Sequence, residues 1–132
     1  MNNLTPQLFA QTLDIYKRAW ETQDSDLIIS IFTPDAVYHE RLLEAPMSTH
    51  EGIQQYWKCK VQENQANIKV RILSKYVDGI TGIAEWEAEF DDKEDGCRRF
   101  MREIAVMEFK DGKICSLREY WVSKKIGNLQ GG

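Results

Sequence analysis

Residues 97–121, CRRFMREIAVMEFKDGKICSLREYW, alternate large apolar and charged side chains on both sides of Asp111-Gly112. An aspartate followed by glycine tolerates positive φ at two consecutive positions, which a two-residue hairpin turn requires. The stretch therefore predicts two long antiparallel strands. Such a pair is unstable alone in water and needs further strands or a layer of helix over one face. Upstream, Ile68, Val70, Ile72 and Ser74 alternate with Lys69, Arg71 and Leu73 as far as Asp78-Gly79, and Ala84, Trp86, Ala88 and Phe90 then alternate with Glu85, Glu87 and Glu89. A one-residue slip would drive three glutamates into the apolar layer, so the register is set. The acidic loop DDKEDG, residues 91–96, closes the second hairpin and reads as solvated.

The covering helices come from the first half. Thr5-Pro6 is a cap followed by proline at the first helical position. Leu8, Phe9, Thr12, Leu13, Tyr16, Ala19 and Trp20 then recur at three and four, giving one apolar stripe. Asp24 caps a shorter second helix carrying Leu27, Ile28, Ile31 and Phe32, which Pro34 stops. AVYHE, residues 36–40, reads as a brief strand, and Arg41 to Met47 as a loop ending in a short strand pair. Ser48 to Glu51 has the spacing of a capping box opening a third helix with Ile53, Tyr56, Trp57 and Val61, running to about Glu63. Helices on one face of an antiparallel sheet make an α+β fold with a cavity at one end.

The 132 residues are expected to form one domain, 1–132, with a core at about 5–123 and a frayed tail at 124–132. A net charge of −4 argues against nucleic acid, which needs a basic stripe. No apolar run reaches a membrane span, and the polar start MNNLTPQ has no signal-peptide pattern, so the expected compartment is the cytoplasm. Cys59, Cys97 and Cys115 lack C-x-x-C spacing and read as buried thiols. His39 and His50 have no metal-binding spacing, and His50 reads as an exposed residue beside the capping box. No metal or organic cofactor is expected, since phosphate and dinucleotide loops are absent as well.

Tyr16, Trp20, Asp24, the phrase 31-IFTPDAVY-38, 53-IQQYW-57, Trp86 in AEWEAEF and the ending 112-GKICSLREYW-121 together resemble the SnoaL-like branch of the NTF2-like superfamily. The resemblance runs from the first helix to Trp121. It implies a cone-shaped α+β barrel, three helices on a strongly curved, mostly antiparallel sheet, usually dimeric. Members include ketosteroid isomerases, polyketide cyclases, dehydratases and limonene-epoxide hydrolases, so fold alone does not choose a function. Against ketosteroid isomerase, Tyr16 matches the oxyanion-binding tyrosine and Glu40 the catalytic base. Ala105 stands where that family has a protonated aspartate, and losing such a donor costs about 3 kcal/mol of transition-state stabilisation.

If Trp121 faces the cavity, then Glu119, Leu117 and Cys115 share its face, and Met101, Glu103, Ala105, Met107 and Phe109 form the inward set on the preceding strand. Two carboxyls, Glu103 and Glu119, thus stand in an apolar layer, where unpaired carboxylates have raised pKa values and can carry protons. Alternatively Arg99 neutralises Glu119, and the pair is structural. Two functions remain open. One is a cofactor-independent isomerase, cyclase or dehydratase acting on a small apolar carbonyl compound, with Glu40 or Glu119 as base, Tyr16 as donor, Glu103 as a second acid–base group, and Trp20, Trp57, Trp86, Met101 and Trp121 as walls. The other is a noncatalytic module that binds a hydrophobic ligand or accompanies a larger enzyme. Phe100, Ile104 and Val106, set among Arg98, Arg102 and Glu108 and continued by Tyr120 and Val122, predict a homodimer through the outer sheet face.

Overall fold

The computed structural model describes residues 3–130. Helix α1 (Pro6–Thr22) starts as its sequence dictates: the Thr5 hydroxyl accepts the Leu8 N–H at 3.1 Å, and Pro6 needs no partner. It ends where Gln23 turns into the left-handed region at φ 56°. Asp24 caps α2 (Ser25–Ile29), accepting the N–H groups of Asp26 and Leu27. This helix is shorter than its apolar pattern suggested, because β1 (Phe32–His39) already begins at Phe32. Pro34 lies inside β1, within the stretch from Phe32 to Val37 where the register shifts.

Strand β2 (Met47–Ser48) pairs antiparallel with β1 and leads into α3 (Thr49–Trp57), continued by a π-helical turn (Lys58–Glu63). The expected capping box does not form. Ser48 is held extended opposite Val37, so its side chain caps nothing, and the Thr49 hydroxyl takes the Gly52 N–H at 3.4 Å instead. His50 is half-buried rather than exposed, its Nε2 lying 2.9 Å from the Phe32 carbonyl.

Strands β3 (Gln65–Asp78), β4 (Thr81–Asp92), β5 (Cys97–Lys110) and β6 (Lys113–Gly127) form the predicted antiparallel meander. Asp111 and Gly112 both have positive φ, 52° and 80°, as the hairpin signal requires. The six-stranded sheet is ordered β2-β1-β6-β5-β4-β3 and is mixed, because β1 runs parallel to β6. That pairing puts Tyr38 opposite Leu117. The molecule is thus an α+β fold with helices packed on a mixed sheet.

Five further expectations need correction. Of the three cysteines read as buried thiols only Cys97 is buried: Cys59, in the π-helical turn, is exposed, and Cys115 is half-buried. Cys115 does not share the face of Glu119: it is the extra residue of a bulge between Glu108–Ser116 and Phe109–Ile114, and its Sγ–H points to the Glu108 carbonyl. The chain does not fray at Lys124, since β6 stays paired through Gly127 opposite Arg98, and the Gln130 N–H reaches Asp91 at 2.8 Å; Gly131 and Gly132 lie outside the described residues. The segment 91–96 is not wholly solvated. Asp91 and Asp92 are buried ends of β4, in ion pairs with Arg98 and Arg99. Arg98, placed by parity on the outer face, is buried by those contacts and by its bond to the Asn67 carbonyl.

The core lies between α1 and the inner sheet face. Phe9, Leu13, Tyr16 and Trp20 meet Ala84, Trp86, Ala88, Phe90, Ala105 and Met107. Small residues on β4 admit large ones from α1, most tightly at Gly82, where an added Cβ would lie 2.5 Å from the Phe9 ring. That ring is fully buried and packed edge-on against Phe109 at 5.9 Å, so it cannot swing aside. Gly82→Ala is therefore expected to destabilise the protein by about 1–3 kcal/mol through overpacking, measured as a lower urea midpoint. An unchanged midpoint would mean that α1 can lift from the sheet freely.

Candidate functional site

The register of β4, β5 and β6 places Glu103 directly between Trp86 and Trp121. It places Glu119 at the end of a row whose other members, Ala84 and Ala105, are small. The space over those alanines admits the Tyr16 ring from α1, which stacks obliquely on Trp86 at 5.0 Å and meets Trp57 edge-on at 5.8 Å. From β1, Tyr38 points the same way because it shares parity with the buried Ala36. Four polar side chains from three distant segments thereby converge at the inner end of a cavity of about 350 Å³.

Glu119 is the hub. Its Oε2 accepts the Tyr16 hydroxyl at 2.6 Å and its Oε1 the Tyr38 hydroxyl at 2.8 Å, and the two hydroxyls are 3.2 Å apart. Glu103 hydrogen-bonds to the same carboxyl. Glu103 and Glu119 are 2% and 5% exposed, and among the described residues neither forms an ion pair with a cationic side chain. Arg99 instead binds Asp92 at 2.7 Å, and Asp95. The sequence-level alternative of a structural Glu119–Arg99 pair is thus overturned, because the β4–β5 hairpin offers Arg99 nearer acceptors.

Burial raises the pKa of both glutamates. For Glu103 the charge of Glu119, the bond between them and the charge of Glu40 all add to the rise, which carries it well above the ordinary range. For Glu119, hydrogen bonds from Glu103, Tyr16 and Tyr38 offset part of the burial penalty, and Glu40 adds to it. A carboxyl bound by two tyrosine hydroxyls keeps its charge better than a neighbour that receives neither. The shared proton therefore sits on Glu103. Burial, then the neighbouring carboxylates, also raises Tyr16 and Tyr38, so both stay protonated donors.

The remaining predicted site residues separate. Glu40 stands at the outer end of the cavity, its Oε1 bound by the Tyr56 hydroxyl at 2.9 Å and its Oε2 lying 3.3 Å from Arg41. It is anchored by a cation, unlike Glu103 and Glu119. Tyr16 is not a free donor to a substrate oxygen, since its proton goes to Glu119. Trp20, Trp57, Met101 and Trp121 line the cavity; Trp20 donates to Gln65 at 2.8 Å and Trp121 to the Glu40 carbonyl at 2.9 Å. Trp86 does not line it, being fully buried behind Tyr16. Sequence reasoning missed Tyr38, although it alternates with Ala36 and Glu40, and Tyr56 and Arg41 as the partners of Glu40. Beside the cavity the buried Trp57 Nε1 has no hydrogen-bond partner among the described residues.

Among the described residues no group of His, Cys, Asp and Glu is arranged to hold a metal, and no helix is long and apolar enough to cross a membrane. Comparison with curated proteins finds no match. Many solved structures share the fold, two of them as follows. One is an M. tuberculosis LEH-like epoxide hydrolase, 17% identical, covering 88% of this chain and 84% of that one with a TM-score of 0.73. The other is a hypothetical protein of ketosteroid isomerase-like fold from Catenulispora acidiphila DSM 44928, in complex with trimethylamine, 20% identical, covering 89% and 86% with a TM-score of 0.74. The family model of the SnoaL-like domain matches residues 13–117, from the middle of α1 to the strand that carries Glu119. The chain therefore belongs to the SnoaL-like domain family, within the NTF2-like superfamily and its ketosteroid isomerase-like fold.

Proposed function

We propose that this protein binds a small, largely apolar carbonyl compound in the cavity and moves a proton on it with the Glu103–Glu119 pair, as a cofactor-independent isomerase, cyclase or dehydratase. The observation that carries the reading is a buried carboxyl pair at a cavity, with no ion pair to a cation among the described residues. Such a pair divides the roles of base and acid between two like groups. Glu119, ionised, takes a proton from the carbon next to the carbonyl, and the electron pair moves onto the carbonyl oxygen. Once protonated, Glu119 no longer accepts the Glu103 proton, which is released toward the new oxyanion. Glu103 thus takes the part that the family resemblance gave to the position of Ala105, two residues along the same face of β5. Curling of the sheet into a cone belongs to this reading, since it brings groups from β1, β5 and β6 onto one ligand.

The test is deuterium wash-in from heavy water at the α-carbons of a panel of small ketones, followed by nuclear magnetic resonance. Exchange above the buffer rate with at least one binding ketone is expected. Binding without exchange would favour a noncatalytic ligand-binding module, a reading that draws support from the saturation of Glu119 by two tyrosines.

The same proposal includes a homodimer through the outer faces of β5 and β6. Val122 is 71% exposed there, beside exposed Ile104 and Tyr120 and half-buried Phe100 and Val106. Light scattering at micromolar concentration is expected to give twice the chain mass; monomer mass alone would remove this part.

A further inference from the structure

The cavity is lined by unequal numbers of opposite charges. Three cationic side chains line it, and each is already matched at the rim: Arg41 by Glu40 at 3.3 Å, Lys60 by Glu94 at 3.1 Å, and Arg99 by Asp92 at 2.7 Å. The Glu103–Glu119 pair is left with its negative charge unbalanced, held only by neutral donors. Among the described residues no cationic side chain forms an ion pair with either carboxyl, although both border the cavity. The other walls are largely aromatic, with Trp20, Tyr56, Trp57, Phe90 and Trp121 among them. One of those rings already receives a cation: the Arg41 guanidinium lies 5.6 Å from the centre of Trp121. Aromatic faces around a carboxylate suit an organic cation, since the ring quadrupole attracts positive charge and the rings bury the alkyl groups.

We infer that the cavity selects a small alkylammonium cation, so that the substrate carries a protonated amine. The inference rests on the reading above that the cavity is the ligand site, and it adds the charge of the molecule. The positive charge of the ammonium balances Glu119, and its alkyl groups lie against the aromatic walls. Anions are excluded by the same field, and neutral isosteres bind through burial alone.

The groups facing Glu119 are Tyr16 from α1, Tyr38 from β1, Glu40 just beyond it, Tyr56 from α3 and Glu103 from β5. All are neutral donors or carboxyls, so a bound cation favours the ionised pair, and its binding should release protons when the pair is partly protonated.

The experiment compares three probes of nearly the same shape on the wild-type protein by calorimetry: tert-butylammonium, tert-butanol and pivalate. Tert-butylammonium is expected to bind about tenfold more tightly than tert-butanol, with its affinity rising with pH, and pivalate is expected not to bind. In Glu119→Gln the advantage of the cation over the alcohol should vanish. Equal or tighter binding of tert-butanol in the wild-type protein would overturn the inference and leave proton transfer standing. Binding of none of the three would overturn it too, while the deuterium assay would decide proton transfer separately. Deuterium exchange confined to neutral ketones would likewise count against a cationic substrate.

Discussion

Glu119→Gln is expected to lower proton-transfer turnover by about 10²- to 10⁴-fold and to destabilise the fold by about 1–3 kcal/mol. Both effects follow from the same geometry. The carboxylate receives hydroxyl protons from Tyr16 at 2.6 Å and Tyr38 at 2.8 Å, and a third hydrogen bond from Glu103. An amide presents one acceptor oxygen and an NH₂ group, so at least one buried donor loses its acceptor and meets another donor. Glu103→Gln should behave differently. The amide replaces a carboxyl that is already protonated, and its NH₂ can still donate to Glu119, so the change in stability should stay below about 1 kcal/mol. Its turnover should fall less than that of Glu119→Gln, because a hydrogen-bond donor remains beside the oxyanion while the base is intact. Melting curves and deuterium wash-in on the two variants check this together. Equal destabilisation by both would place the shared proton on Glu119 instead.

Stability should also fall as the pH rises from the acid side toward neutrality. In the unfolded chain Glu103 has the ordinary value of 4.5, and in the folded protein its value lies well above that. The folded state therefore holds a proton that the unfolded state has lost. The stabilisation is complete below 4.5 and disappears progressively as the pH climbs from there through the folded value. The slope for one proton is about 1.4 kcal/mol per pH unit. Glu119, also raised, acts in the same direction. Asp92 acts oppositely. Burial works against its ionisation, but bonds from Arg99 and the Asp95 N–H outweigh it and hold it below its ordinary 3.8, so its contribution is lost only as the pH falls beneath that value. Urea unfolding between pH 4.5 and 8 should thus give decreasing free energies for the wild-type protein and a flatter profile for Glu103→Gln. A wild-type profile that rises with pH would mean that the buried pair is fully ionised and balanced by a cation.

Much of the frame was legible in the residues. The Asp111-Gly112 turn, the alternation of Ala84, Trp86, Ala88 and Phe90 with three glutamates, and the apolar stripe of α1 each depend on backbone preference and side-chain direction over a few consecutive residues. Parity also put Glu103 and Glu119 on the inner face, for the same local reason. The bulge at Cys115 left that placement intact only because it lies before Leu117.

The neighbours of those carboxyls were decided elsewhere. Tyr38 and Glu119 are 81 positions apart and meet because β1 pairs in parallel with β6, a connection that no local period encodes. Arg99 was available to Glu119 on paper, yet Asp92 and Asp95 take it because the β4–β5 hairpin holds them closer. Alternation tells which face a side chain occupies, whereas hydrogen bonds and ion pairs are settled within about 3 Å, after every competing partner has been placed. The chain's sequence thus determined its strands, its first helix and the inward direction of two glutamates, and only the tertiary structure decided that they would share a proton beneath two tyrosines.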